Sequence, residues 1–232
     1  MLSRLATEGM TPAFRGALAK GLRLVMFLTL PCAVGLSLLA KEIISVLFEH
    51  GRFTEHDAIM TAGPLQAYAL GLVFYAAIKV LQPSFYTIGK RFVPMLISIG
   101  VIALNAAMNY TTVFILGWDH TALAWATAVG LVLNFATLYL LMRKYAAGLE
   151  TTSLMKSLGR LLIAIVIMAA LCLASKATLL AGWSDMGLVM RLATLLATIS
   201  VGAAAYFGVT KILHVEEAGE FLSLLGRRFG RK

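Results

Sequence analysis

Residues Phe92 to Trp118 read FVPMLISIGVIALNAAMNYTTVFILGW, 27 consecutive positions without Asp, Glu, Lys or Arg. As a helix such a stretch is roughly 40 Å long, enough to cross a hydrocarbon core about 30 Å thick. It is apolar throughout rather than alternating every second residue, which excludes a barrel strand. Further charge-free stretches run from Leu24 to Ala40, Ala58 to Ile78, His120 to Met142, Leu161 to Ser175 and Leu192 to Thr210. Their lengths are 17, 21, 23, 15 and 19 residues, so the six together hold just over half of the 232 positions. The 15-residue stretch lengthens at its N-terminal end through Leu158 and Gly159, with Arg160 snorkelling to the headgroups. The pattern predicts an all-α integral membrane protein of six transmembrane helices, with no soluble domain left over.

Composition agrees. The chain is 60% apolar and 13% charged, against about 25% charged in soluble domains, too few charges to coat a water-soluble globule and too much apolar matter for disorder. The 20 Lys and Arg residues divide unequally between the two sets of loops. One side has fifteen: Arg4, Arg15, Lys20, Arg23, Lys90, Arg91, Arg143, Lys144, Lys156, Arg160, Lys211, Arg227, Arg228, Arg231 and Lys232. The other has four, Lys41, Arg52, Lys176 and Arg191, and Lys79 lies within a span. This asymmetry predicts that both termini are cytoplasmic. It also accounts for the net charge of +9 through anionic membrane lipids, without a nucleic-acid partner. Met1 to Gly21 is polar and basic with no apolar leader, so the first span is expected to be the insertion signal.

Polar residues within the spans are the candidates for function. Pro31 removes a backbone hydrogen bond from the first span, which reads either as a static kink or as a break lining a transport cavity. Lys79 stands near the cytoplasmic end of the second span, about 13 Å past its middle. Two readings of it remain open: a snorkelling side chain, or a cation facing a water-filled cavity where it pairs with a phosphate. Asn105 and Asn109, one turn apart, and Asn134 either bond across to a neighbouring helix or touch substrate. Gly100, Ala103, Ala106 and Ala107 suggest close helix packing, and Trp118, Trp125 and Trp183 an interfacial belt. Cys32 and Cys172 fall inside spans and are expected to pack as small apolar residues.

Between the first two spans, Lys41 to Phe48 reads as a short interfacial helix. It leads into Glu49-His50-Gly51-Arg52-Phe53-Thr54-Glu55-His56-Asp57, where Gly51 suits a tight turn and Thr54 or Asp57 a helix cap. Two histidines and three carboxylates raise the question of a metal, but the spacing matches no HExxH or CxxC pattern, so no metal site is assigned. Gly89-Lys90 resembles the end of a phosphate loop, yet Ser84 stands where its first Gly belongs. No cofactor and no catalytic constellation is expected, so the chain does not read as an enzyme.

Four segments, in order and at matching spacing, resemble the MurJ/MviN lipid II flippases: Leu30-Pro31-Cys-Ala-Val-Gly35; Val46-Leu-Phe-Glu-His-Gly51-Arg-Phe53-Thr54; Ala67-Tyr68-Ala-Leu-Gly71; and Lys79-Val80-Leu81-Gln-Pro83-Ser-Phe85-Tyr86. Asn105, Asn109 and Asn134 fit the same pattern. After Tyr86 the family usually has an acidic turn, whereas this chain reads Gly89-Lys-Arg-Phe-Val-Pro94.

The resemblance implies the C-terminal part of a two-lobed transporter of the multidrug, oligosaccharidyl-lipid and polysaccharide exporter (MOP) superfamily. Its six spans would be the ninth to fourteenth of the whole. The substrate implied is lipid II, an undecaprenyl-pyrophosphate-linked disaccharide peptide, and the further partners are membrane lipids and the N-terminal lobe of the same transporter. Residues 1–23 then form the cytoplasmic end of a preceding helix and a loop, 24–142 four helices of the C-terminal lobe, and 143–160 a cytoplasmic linker. Residues 161–210 form two extra helices and 211–232 a basic tail. Lys79 is the candidate for the anionic headgroup, with Asn105, Asn109 and Asn134 as further substrate contacts. Pro31, Gly51, Phe53, Pro83, Phe85 and Tyr86 are framework positions. Alternatives are another exporter of the superfamily, for lipid-linked polysaccharide or drugs, and a truncated, non-transporting remnant.

Overall fold

A computed structural model describes residues 11–146 and 148–219. Seven α-helices order them: α1 (Pro12–Leu38), α2 (Ala40–Phe48), α3 (Glu55–Thr87), α4 (Phe92–Tyr110), α5 (Thr121–Tyr145), α6 (Thr151–Thr178) and α7 (Leu188–Ile212). A widened π-type turn, Thr111–Ile115, continues α4, and a short 3-10 turn, Trp183–Asp185, precedes α7. No strand occurs among the described residues. All but α2 are long and apolar enough to cross a membrane, six helices as expected. The chain is thus a multi-pass membrane protein.

The helices overrun the charge-free stretches. α1 begins at Pro12, capped by the Thr11 hydroxyl, which accepts from the Phe14 N–H, and so includes Arg15, Lys20 and Arg23. α6 begins at Thr151, within residues 143–160, and carries Lys156 and Arg160 on its first turns. Absence of charge marks only the part of a helix that meets hydrocarbon, and its ends run on into the headgroup layer. Arg4, Arg227, Arg228, Arg231 and Lys232, five of the fifteen cations on the positive side, lie outside the described residues.

Packing proceeds from an i, i+4 ridge on α1. Phe14, Leu18, Leu22 and Met26 stack on one face and are buried against Ala77, Leu81 and Phe85 of α3, Leu138 and Met142 of α5, and Leu161, Ile165 and Met168 of α6. α3 is the hub, lying along both α1 and α5, while α6 pairs with α7 and leans on α1. α4 packs almost wholly on α5, and Pro94 is its one buried residue. Gly100, Ala103, Ala106 and Ala107 are therefore exposed, and close packing is found elsewhere. A Cβ at Gly71 of α3 would lie 3.1 Å from Leu131 and 3.4 Å from the Ala128 backbone on α5, and one at Gly202 of α7 would lie 3.2 Å from Cys172 of α6. Cys172 is buried as expected. Cys32 is not; it stands exposed on the bundle surface.

Candidate functional site

The long helix α3 presents a polar and aromatic stripe. Tyr68, Leu72, Tyr75, Lys79 and Tyr86 follow one another at intervals of three, four or seven residues and so share a face. All five are exposed. The opposite face is apolar and buried, through Ala69, Val73, Ala77 and Leu81. Helical periodicity thus turns the stripe away from α1 and α5. Lys79 Nζ stands 4.9 Å from the centroid of the Tyr75 ring, one turn back along the stripe. A cation over an aromatic face gains about 0.5–2 kcal/mol, more as water withdraws. Among the described residues no carboxylate pairs with it, so its charge is available to an anion. Pro83, four residues on, lacks the N–H that would serve the Lys79 carbonyl. One turn therefore carries both a cation and a carbonyl without its helical donor.

The amides behave differently. Asn109 Nδ2 donates to Asn105 Oδ1 at 3.1 Å within α4 itself, not across to another helix. This leaves Asn105 Nδ2 and Asn109 Oδ1 buried and without a partner. Asn134 is 8% exposed on α5, and its Oδ1 is likewise unserved. No hydrogen bond among the described residues joins Lys79 to any of the three amides. α3 and α4 scarcely touch, so the cation and the Asn105–Asn109 pair form two places, not one.

The loop before α3 is a built turn. Gly51 sits at φ +65°, and Phe53 packs on Phe48 with ring centroids 6.1 Å apart. The Thr54 hydroxyl accepts from the Asp57 N–H, while the Asp57 carboxylate accepts from the Thr54 N–H, a reciprocal cap. Phe85 is fully buried at the far end of the helix, edge-on to Tyr145. No cluster of three His, Cys, Asp or Glu among the described residues has the geometry to hold a metal.

Two features escape a reading by residue type. First, Pro31 of α1 and Pro64 of α3 are answered by distant donors. Pro31 cannot serve the Phe27 carbonyl, and the buried Tyr206 hydroxyl of α7 donates to it at 2.7 Å. Pro64 cannot serve the Met60 carbonyl, and His120 Nε2 donates to it at 3.0 Å. His120 Nδ1 meets the Asp119 carboxylate. Because both acceptors favour a doubly protonated ring, the Met60 carbonyl first and Asp119 next raise the His120 pKa above the ordinary 6.5. Proline spacing gives away the two carbonyls in advance, but nothing local names their donors.

Second, the sparse cations of the other side are mostly paired. Arg191 Nη1 lies 3.0 Å from Glu49 Oε1 and 3.3 Å from Ser45 Oγ, while Trp183 Nε1 donates to the same hydroxyl at 2.9 Å. Lys176 pairs with the buried Glu42 at 2.9 Å and donates to the Leu38 carbonyl. Lys41 pairs with Glu55 at 2.7 Å. The Ser45 hydroxyl and then Arg191 hold the Glu49 carboxyl below the usual range.

Residues 1–194 match the family described as lipid II flippase MurJ. The chain is 30% identical over 216 residues to the probable lipid II flippase MurJ of Bdellovibrio bacteriovorus, covering 93% of this chain and 40% of that protein. It is 31% identical over 214 residues to the probable lipid II flippase MurJ of Vibrio cholerae, covering 92% and 40%. In structure it is similar to a lipid II flippase MurJ solved in an inward closed conformation, with a TM-score of 0.60 and 20% identity over 89% of this chain and 41% of that one. The chain spans about two fifths of the length of the relatives it matches.

Proposed function

The chain belongs to the lipid II flippase MurJ family, and from that premise we propose that it forms the C-terminal part of a transporter moving lipid II across the bacterial inner membrane. The headgroup passes from the cytoplasmic to the periplasmic leaflet by alternating access, two lobes rocking about a central aqueous site while the lipid tail stays in the bilayer. Both termini face the cytoplasm in this reading, in line with the excess of Lys and Arg on that side. The drive is the membrane potential or an ion gradient, worth about 2.3 kcal/mol per charge per 100 mV.

The observation that carries the proposal is the stripe on α3. A lysine and three tyrosines on the exposed face of a membrane-length helix are costly against lipid tails but suit a wet cavity. There Lys79, steadied on the Tyr75 ring, meets the pyrophosphate, and the tyrosine rings offer flat faces to the sugars. The unserved amides of Asn105, Asn109 and Asn134 make a second polar place, on α4 and α5, for the same headgroup.

The test is rescue of cells depleted of their own flippase, using the gene that encodes this chain. Lys79→Ala is expected to abolish most rescue at unchanged protein level in the membrane, and Lys79→Arg to keep part of it. Equal rescue by all three proteins would show that Lys79 merely snorkels. Failure of the unaltered gene to restore lipid II translocation would sink the flippase reading itself.

A further inference from the structure

At the end of the bundle where the cations gather, a cavity of about 390 Å³ opens between the first turns of α6 and the segment that follows α7. Its floor is Arg23 of α1, 15% exposed and ion-paired. Arg23 Nε lies 2.7 Å from Glu217 Oε1, Nη2 lies 3.3 Å from Glu216 Oε2, and Nη1 donates to the Ser153 hydroxyl. Glu217 is buried and also accepts from Ser157 Oγ at 3.3 Å. The floor is thus paired, one cation against two carboxylates, with one negative charge left over on the exposed Glu216. The rim is not. Lys156 and Arg160 stand one turn apart on α6, both exposed, and neither has a carboxylate partner among the described residues. Among the described residues Arg160 makes one hydrogen bond, to the His214 carbonyl at 3.3 Å, and Lys156 makes none. Facing them is Glu216, its side chain 75% exposed.

We propose that this cavity binds the headgroup of a phosphoethanolamine lipid. Two adjacent cations on one wall, without a carboxylate partner among the described residues, suit a phosphodiester, which accepts from both. The exposed Glu216 carboxylate on the other wall suits a primary ammonium. A purely anionic head uses the first wall and is repelled by the second. A choline head has no N–H to donate to Glu216. The lipid source follows from position, because α6 and α7 leave the hydrocarbon here and a bound head keeps its tails alongside the apolar turns above. Occupied, the site ties α1, α6 and the segment after α7 together through one ligand. The inference needs only that the chain spans a membrane and does not depend on which substrate is flipped.

Native mass spectrometry of the purified, delipidated full chain decides it. The probes are phosphatidylethanolamine, phosphatidylglycerol and phosphatidylcholine with identical acyl chains, and soluble phosphoethanolamine. Phosphatidylethanolamine is expected to bind at least about fivefold more tightly than the other two lipids. Lys156→Gln combined with Arg160→Gln should weaken it about tenfold, and Glu216→Gln should erase its preference over phosphatidylcholine. The charge-conserving pair Lys156→Arg and Arg160→Lys should bind normally, which separates loss of charge from loss of fold. Equal binding of all three lipids, tighter binding of phosphatidylglycerol, or indifference to the double Gln variant overturns the proposal. Soluble phosphoethanolamine binding as tightly as the lipid overturns the assignment to a lipid.

Discussion

A proline inside a membrane helix removes a donor, so the carbonyl four residues back is left either to another partner or to water, as at Pro83. For Pro31 of α1 that partner is Tyr206, and for Pro64 of α3 it is His120. The first pairing makes a mutual prediction. Tyr206→Phe removes the hydroxyl that serves the Phe27 carbonyl and is expected to cost about 1 kcal/mol in a membrane unfolding assay. In a Pro31→Ala background the new N–H serves that carbonyl, so the same tyrosine change should cost almost nothing. Equal costs in both backgrounds would show that the bond does not compensate the proline. The second pairing is pH-dependent. Since the folded His120 pKa is raised above 6.5, its contribution is complete below about pH 6.5 and fades as pH climbs through the folded value. Histidine NMR should place its titration above the ordinary range. Asp119→Asn should lower that midpoint, and an unchanged midpoint would remove Asp119 from the account.

At the scale of elements, helix contact is set by where side chains are absent. Gly71 lets α3 lie against Ala128 of α5, and Gly202 lets α7 lie against Cys172 of α6. Gly202→Val should therefore force the two last helices apart at a cost of about 1–3 kcal/mol, whereas Gly100→Val on the open face of α4 should be close to neutral. Thermal unfolding of the two variants in detergent makes the comparison, and equal midpoints would contradict the packing. All six spans were legible as stretches without charge, as were the short helix at Lys41–Phe48 and the Thr54–Asp57 cap, because each rests on local chemistry. Helix ends were less so. Arg15, Lys20 and Arg23 stand before the apolar run yet belong to its helix. The small residues of α4 misled for a related reason: a glycine or alanine permits close approach without saying that a neighbour exists. Lys79 was legible as a lone cation. The tyrosine face around it emerged only when α3 proved continuous from Glu55 to Thr87.

For the whole molecule, the α6–α7 pair is fastened to the rest of the bundle at both ends by charge. On the cation-poor side Arg191 reaches Glu49, just past the end of α2, and Lys176 reaches Glu42 of α2. On the cation-rich side Arg23 of α1 holds Glu216 and Glu217. Between them lies an apolar cavity of about 440 Å³, walled by Leu28, Pro31 and Cys32 of α1, Cys172 of α6 and Phe207 of α7. The distribution of charge by side could be counted from the sequence, but not this division of labour, because ion pairing depends on which helix ends meet. Arg191 is 12% exposed and Glu49 18%, so Arg191→Gln strands a half-desolvated carboxylate and should cost about 1–3 kcal/mol. Arg23→Gln does the same to Glu217 at the opposite end. The α7 turns between the two clusters, Arg191 to Ile212, span roughly 30 Å, and clusters so far apart should not share their losses. The double variant is therefore expected to lose the sum of the two single costs within about 0.5 kcal/mol. A double variant no worse than the weaker single one would mean that the pair detaches as one unit once either end is freed.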